Sequence, residues 1–308
     1  MTESTARRPL ARALADRPLF FEPTPPTGRA SLARVAERVA EVARLVAEIP
    51  RVDAVDVPDL VDENHEGRPF YRSVDPRAFG RAVAERAGCE VVINKVVAHL
   101  DDLAALDAWV RATLEAGLRH LVLVGGSSRY IPYPGPPVAE ADRVARPLVR
   151  AAGGLVGNIA IPSRTGEAHR MLAKTQSGAS FFTTQLVFDA EAPARLLREY
   201  DQLCRRAALP AGAVLLSFAP IADEQDAEFV RWLGAELPEP VEQAIVEGTP
   251  EEAVRRGIDR SLAVWDEVVR SVADGDLAVP LGVNVEQISA RHQGPARELL
   301  AAFAARLG

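Results

Sequence analysis

Cysteine is scarce in this chain of 308 residues, where only Cys89 and Cys204 are present and lie far apart. Neither belongs to a C-x-x-C pair, so the sequence offers no disulfide framework and no zinc knuckle. The five histidines show no H-E-x-x-H or similar ligand spacing, and we predict no metal site. This cysteine usage favours a reducing, cytoplasmic location.

Long apolar runs are also absent. No segment approaches about 18 uninterrupted apolar residues, so we expect no membrane span, and the basic run at 1–18 lacks the apolar stretch of a signal peptide. The net charge of -7 and the pI near 5.4 disfavour a nucleic-acid surface. With 48% hydrophobic and 26% charged residues, the chain is predicted to be globular and to bind a small molecule.

Short apolar segments alternate with long amphipathic ones, which is typical of βα units. Eight segments are predicted as strands: 19–23, 53–57, 90–97, 120–124, 155–161, 180–185, 213–218 and 277–285. Helices are predicted over 31–49, 103–117, 191–209 and 249–272, the first with Ser31 as its N-cap.

This rhythm predicts an α/β fold, a single-domain (β/α)8 TIM barrel over residues 18–308 with an N-terminal extension at 1–17. An open doubly wound sheet is the alternative. The barrel is preferred because no G-x-G-x-x-G or P-loop motif follows any strand. The Pro-rich segment 130–138 is predicted as an exposed loop on the catalytic face.

Active sites of such barrels lie at the carboxyl ends of the strands, and these ends are rich in polar residues here. A carboxyl group after two aromatic residues and before three prolines, as at Glu22, is a candidate for an acid whose pKa is raised by desolvation. The other strand-end candidates are Asp56, Asp59, Asn94, Lys95, Gly125, Gly126, Ser127, Arg164, Thr184, Gln185, Ser217, Asn284 and Glu286.

The Gly-Gly-Ser-Ser turn at 125–128 is a candidate anion-binding nest, with Arg129 and Tyr130 beside it. An ordinary turn is the alternative interpretation. Lys95 and Arg164 are expected to face the pocket and to meet anionic parts of a ligand, although a surface cation remains the alternative for each.

Two motifs resemble the methylenetetrahydrofolate reductase family: F-E-P-T-P-P at 21–26 and T-Q-L-V-F-D at 184–189. Supporting matches are Lys174 with Gly178-Ala179, the pair Pro220-Ile221, and the segment 229–241. The resemblance extends over roughly residues 18 to 300.

The resemblance implies a cytoplasmic oxidoreductase of one-carbon metabolism and methionine biosynthesis that reduces 5,10-methylenetetrahydrofolate to 5-methyltetrahydrofolate. It places the general acid at Glu22 and the contact with the folate pterin at Gln185, and it makes Thr184, Lys95 and Glu286 substrate-binding candidates. The acid is needed because ring opening to an iminium ion requires protonation of a nitrogen.

The sequence departs from the family where FAD is held. Val124-Gly125-Gly126 replaces R-G-D, Ile161-Pro162-Ser163-Arg164-Thr165 replaces Y-P-E-x-H, and Lys174 alone remains of a basic pair. The pattern is similar to a smaller, flavin-independent branch, which implies a nicotinamide cofactor, with NADH favoured over NADPH.

The predicted contacts of this cofactor are Gly125, Gly126, Ser127, Arg129, Arg164 and Lys174. FAD, the family's usual cofactor, is the alternative. Two other functions stay open: a relative acting on another one-carbon substrate, and a non-catalytic folate- or nucleotide-binding barrel.

Overall fold

Ten strands are present in the computed structural model, which describes residues 7–64, 66–127, 130–273 and 276–308. They are β1 (Leu19–Glu22), β2 (Ala54–Val57), β3 (Val61–Glu63), β4 (Pro69–Tyr71), β5 (Glu90–Val96), β6 (His120–Val124), β7 (Val156–Ala160), β8 (Phe181–Leu186), β9 (Ala213–Phe218) and β10 (Leu281–Glu286). Eight of them close into a parallel barrel in the order β1-β10-β9-β8-β7-β6-β5-β2, and β3 and β4 form a separate antiparallel hairpin. The predicted single-domain (β/α)8 barrel is confirmed.

Helices follow the barrel strands and surround the sheet. The helices are α1 (Leu10–Leu14), α2 (Leu32–Glu48), α3 (Pro76–Ala87), α4 (Leu103–Glu115), α5 (Val138–Ala151), α6 (Glu167–Ser177), α7 (Glu191–Arg206), α8 (Glu224–Trp232), α9 (Glu239–Val246), α10 (Pro250–Ala273) and α11 (Gln293–Leu307). Short 3-10 turns lie at Val97–His99 and Ala290–His292. Within the described residues, no helix combines the length and the apolar character needed to cross a membrane.

Local capping signals explain where the early helices begin and end. The Ser31 side chain accepts a hydrogen bond from the backbone N–H of Arg34, which caps α2 as predicted. Asp75 caps α3 ahead of Pro76, and Gly88 ends that helix in the left-handed conformation. These local residues account for the boundaries of both helices.

Two apolar layers follow from the alternation of side chains along each strand. Phe20, Val92 and Phe181 fill the barrel interior, and Leu10 and Leu14 of α1 join this interior cluster. Helix α1 thus packs against the barrel interior. Residues on the opposite faces of the strands pack against the surrounding helices.

The predicted elements are present, with shifts at their ends. The last strand begins at Leu281 rather than at 277, and the β3-β4 hairpin was not predicted. Residues 130–137 are irregular, and α5 begins at Val138. Gly135 lies so close to the chain at Val97 that an added Cβ would sit 2.1 Å from the Val97 carbonyl oxygen, which explains the glycine.

Candidate functional site

Glu22 is the last residue of β1, at the carboxyl end of the barrel. Its carboxyl group accepts a 2.9 Å hydrogen bond from the amide Nδ2 of Asn284 on β10. Burial raises the pKa of Glu22 from 4.5 to about 7, and the hydrogen bond from Asn284 opposes that rise. Glu22 can therefore hold a proton near neutral pH, as the sequence predicted.

Two more carboxyl groups, on the strands that flank β1, lie beside Glu22 in the mouth of the barrel. Asp56 on β2 is fully buried, and burial followed by the charges of Glu22 and Glu286 raises its pKa well above the ordinary value. Burial is also the main cause that raises the pKa of Glu286, and the charge of Glu22 adds to it. The mouth holds three acids that resist ionisation.

Polar contacts fix the chain on both sides of Glu22. The backbone carbonyl of Glu22 accepts a 2.8 Å hydrogen bond from the N–H of Gln287. The hydroxyl of Thr24 donates to the Gln287 carbonyl, and the buried Arg38 donates to the Thr24 carbonyl at 3.1 Å and to the Gln287 side chain. The loop that carries Glu22 is thereby tied to β10 and α2.

The glycine turn after β6 is covered by an aromatic ring. A Cβ added at Gly126 would lie 2.2 Å from the ring of Tyr133, and the Tyr133 hydroxyl donates a 2.6 Å hydrogen bond to Glu63. The hydroxyl of Ser127 donates to the same carboxyl group. The Glu63 pKa is lowered, because the hydrogen bonds outweigh the effect of burial. An anion at Gly125–Ser127 would meet the Glu63 carboxylate, which favours the ordinary turn over the predicted anion-binding nest.

Arg129 and Ser128, also placed at this turn by the sequence, lie outside the described residues. Tyr133 belongs to the loop predicted on the catalytic face, but neither its contact with the glycine turn nor Glu63 was predicted as part of the mouth. The hydrogen bond between them joins residues 70 positions apart, and no local pattern in the sequence indicates it.

Lys95 lies on the outer face of β5, while its neighbour Asn94 lies on the inner face. Its ammonium group donates a 2.8 Å hydrogen bond to Asp59 and lies 5.1 Å from the centre of the Tyr71 ring and 6.0 Å from that of Trp109 on α4. The expectation that Lys95 faces the pocket is therefore wrong, because consecutive residues of a strand point to opposite faces.

Thr184 and Gln185 lie at an irregularity in the pairing of β8 with β9. The Thr184 hydroxyl accepts a 2.9 Å hydrogen bond from the backbone N–H of Ser217. The Gln185 side chain donates to the carbonyl of Leu233 at 3.0 Å and accepts from the N–H of Leu186 at 2.9 Å. A ligand that binds the Gln185 amide must replace these contacts.

Arg164 and Lys174 converge on the buried Glu167 of α6. Arg164 lies 3.7 Å from the Glu167 carboxyl group and is about half exposed, whereas Lys174 lies 3.9 Å from it. Lys174 also donates a 2.7 Å hydrogen bond to the carbonyl of Ile159, and burial lowers its pKa. Arg164 is thus the more accessible of these two predicted cofactor contacts.

A buried polar pair behind β7 was not predicted from the sequence. The amide of Asn158 donates to the carboxyl group of Asp142 on α5 at 3.1 Å and to the carbonyl of Leu123 at 3.0 Å. Burial raises the pKa of Asp142 from 3.8 to about 7. This pair joins α5 to two strands and does not belong to the mouth.

A cavity of about 530 Å³ lies at the opposite end of the barrel, where its lining includes Arg146, Ser180 and Gly212. None of the predicted site residues lines it. Among the described residues, no group of three or more His, Cys, Asp or Glu side chains is arranged to hold a metal ion. The three carboxyl groups with raised pKa values lie at the mouth, at the other end of the barrel from this cavity.

Comparison with known proteins shows that the fold of this chain is similar to that of solved structures. No protein-family model and no curated protein sequence matches the chain. One similar solved structure is an uncharacterized protein from Clostridium thermocellum, described as binding two copies of 5-methyl-5,6,7,8-tetrahydrofolic acid. It aligns with a TM-score of 0.77 and 16% identity over 97% of this chain and 100% of that one. The likeness extends over the whole barrel.

Proposed function

We propose that this barrel binds a tetrahydrofolate at its carboxyl-terminal mouth and reduces 5,10-methylenetetrahydrofolate to 5-methyltetrahydrofolate. The observation that carries the proposal is the carboxyl group of Glu22, held at the mouth with a pKa of about 7. An acid with a pKa near the working pH is suited to giving a proton to a reacting nitrogen.

In the proposed reaction, Glu22 protonates a nitrogen of the five-membered ring of the substrate, and the carbon–nitrogen bond opens to an iminium ion. Glu22 is left as a carboxylate, and the amide of Asn284, which already donates to it, stabilises that charge. A reduced nicotinamide, with NADH favoured, would supply the hydride that completes the methyl group. The proton and the hydride together account for the reduction.

The comparison supports the ligand class. The similar protein of Clostridium thermocellum is described as binding 5-methyl-5,6,7,8-tetrahydrofolic acid, which is the product of the reaction proposed here. The sequence motifs at 21–26 and 184–189 point to the same class of ligand. We assign the pterin contact to Gln185, whose amide can form two hydrogen bonds with a heterocycle edge.

The residues present do not fit a bound FAD. Tyr133 covers the glycine turn where the family holds its flavin, and the carboxylate of Glu63 faces that turn. The ammonium group of Lys174 donates a hydrogen bond to the carbonyl of Ile159. Of the predicted dinucleotide contacts, Arg164 has the exposed charge that a phosphate requires.

A second candidate is folate binding without turnover. The covered glycine turn favours it, because the phosphates of a dinucleotide lose the backbone N–H groups expected there. The description of the similar structure, which mentions binding of 5-methyl-5,6,7,8-tetrahydrofolic acid, also favours it. In this case Glu22 contacts the ligand and transfers no proton.

An anaerobic assay with purified protein separates the two candidates. Oxidation of NADH that depends on 5,10-methylenetetrahydrofolate, together with formation of 5-methyltetrahydrofolate, supports the reductase. Saturable binding of 5-methyltetrahydrofolate with no NADH oxidation supports the binding protein. Absence of both turnover and folate binding contradicts both candidates.

A further inference from the structure

The three acids of the mouth lie on three neighbouring strands. Glu22 on β1 pairs in register with Glu286 on β10. On the other side of β1, Phe20 pairs with Ala54, which places Asp56 two residues further along β2 at the level of Glu22. Because side chains two positions apart share a face, the three carboxyl groups occupy the inner face of the barrel together.

The layer of the barrel interior that holds the three carboxyl groups has more buried hydrogen-bond acceptors than donors. Among the described residues, both carboxyl oxygens of Asp56 and the amide oxygens of Asn94 and Asn284 are buried and make no hydrogen bond of good geometry, although the Asn94 amide lies near enough to Asp56 to oppose the rise of its pKa. Asn284 already directs its Nδ2 at Glu22, at Ser217 at 3.2 Å and at Glu286 at 3.5 Å. Buried acceptors without donors are costly, so the site requires additional O–H or N–H groups.

Cations do not supply these donors. Lys95 pairs with Asp59 at 2.8 Å on the outer face of β5, and Arg38 pairs with Glu41 at 3.1 Å on α2. In the part of the chain that the structure describes, no Lys, Arg or His lies within 4.0 Å of the three carboxyl groups. A negative charge on Asp56 would therefore be buried without a counterion.

We propose that Asp56 and Glu286 act as neutral acids that keep their protons while Glu22 gives up its own. Their O–H groups supply donors to the unpaired amide oxygens and to the Glu22 carboxylate after proton transfer. Asp56 and Glu286 are thus positioning residues for Glu22. The raised pKa values of Asp56 and Glu286 agree with this assignment.

The protons balance in this scheme. Glu22 passes one proton to the nitrogen of the ligand and becomes a carboxylate, while the O–H bonds of Asp56 and Glu286 remain intact. Glu22 is partly exposed at the mouth, so it regains its proton from solvent. Asp56, with 0% exposure, stays protonated throughout, because its carboxylate would be buried without a counterion.

Amide substitutions test these roles, and this kinetic test rests on the proposed reductase function. We expect Asp56→Asn and Glu286→Gln to keep kcat within about fivefold, because an amide N–H replaces the acid O–H. Asp56→Leu, which removes the donor, should lower kcat about 100-fold, whereas Glu22→Gln should lower it about 10²- to 10⁴-fold. If Asp56→Asn is as damaging as Asp56→Leu in folded protein, Asp56 acts as a carboxylate and the proposal is overturned.

Infrared spectroscopy of the full chain without ligand tests protonation independently of any activity. A protonated carboxyl group absorbs apart from a carboxylate. We expect wild-type protein above the pKa of Glu22 to retain a protonated-carboxyl band that decreases in Asp56→Asn. The surface variant Asp107→Asn, which removes an exposed partner of Arg111, should leave it unchanged. Absence of this band in wild-type protein overturns the proposal whether or not the protein is a reductase.

Discussion

Glu22 and Asn284 lie 262 residues apart in the chain, and a 2.9 Å hydrogen bond joins the Asn284 amide to the Glu22 carboxyl group. The bond favours the ionised carboxylate, whereas burial favours the protonated acid. Burial prevails and raises the pKa of Glu22 to about 7. The pair therefore sets the pH range in which Glu22 can work as an acid.

Removing the amide should raise the pKa of Glu22 further. Activity that needs protonated Glu22 falls as pH rises through its pKa, so the alkaline limb of the kcat/KM profile, which reports the pKa of the free enzyme, should begin near pH 7. Asn284→Ala should move that limb upward by about one pH unit, the equivalent of a hydrogen bond to a charged group. Steady-state rates between acidic and alkaline pH measure the shift, and a limb that stays in place refutes the link between the two residues.

Glu22→Gln should abolish proton donation while preserving the shape of the side chain. We expect kcat to fall about 10²- to 10⁴-fold, the usual contribution of a positioned acid. Folate affinity, measured by calorimetry, should change little. The exposed Glu85 provides a matched control, because Glu85→Gln removes a carboxylate from the last turn of α3, at the end of the barrel opposite the mouth. Full turnover in Glu22→Gln excludes the acid role.

Gln185→Ala should weaken folate binding more than it weakens folding. Loss of a paired amide costs about 1–3 kcal/mol when its partner in the ligand is left without a hydrogen bond. The comparison variant is Gln202→Ala, at an exposed position of α7. Equal folate affinity in wild type and Gln185→Ala would show that the amide serves only to hold the carbonyl of Leu233.

Asp142 should make stability depend on pH without affecting the mouth. Its folded pKa of about 7 lies above the ordinary 3.8, so its stabilising contribution is complete below about pH 4 and is lost as pH rises through 7. The loss is on the order of 4 kcal/mol. Asp142→Asn should flatten the dependence of the unfolding free energy on pH, as measured by urea denaturation. An unchanged slope would mean that Asp142 is ionised in the folded protein.

The barrel could be predicted because strand and helix periods are local properties of the sequence. Strand ends follow from the same periods, which is why Glu22, Asn284 and Glu286 could be named together. The expectation for Lys95 was wrong because side chains alternate between the two faces of a strand. Asn94 and Lys95 are consecutive, so only one of them can face the barrel interior.

Other features depend on contacts that no local pattern records. The strands of the β3-β4 hairpin have three residues each, too few for a reliable alternation. The ring of Tyr133 covers Gly126 because of the path that the loop at 130–137 takes. The partnership of Asp142 with Asn158 joins a helix to a strand, and each residue alone resembles an ordinary surface polar residue.

Transfer of deuterium from the nicotinamide tests the central claim most directly. Flavin-free protein is supplied with 5,10-methylenetetrahydrofolate and NADH labelled at carbon 4 of the nicotinamide ring, with each face labelled in turn. Mass spectrometry then measures the label in the product. Direct reduction predicts that one labelled cofactor gives 5-methyltetrahydrofolate with one deuterium in its methyl group. Failure to form this product, or product without the label from either cofactor, would contradict reduction by hydride transfer from the nicotinamide.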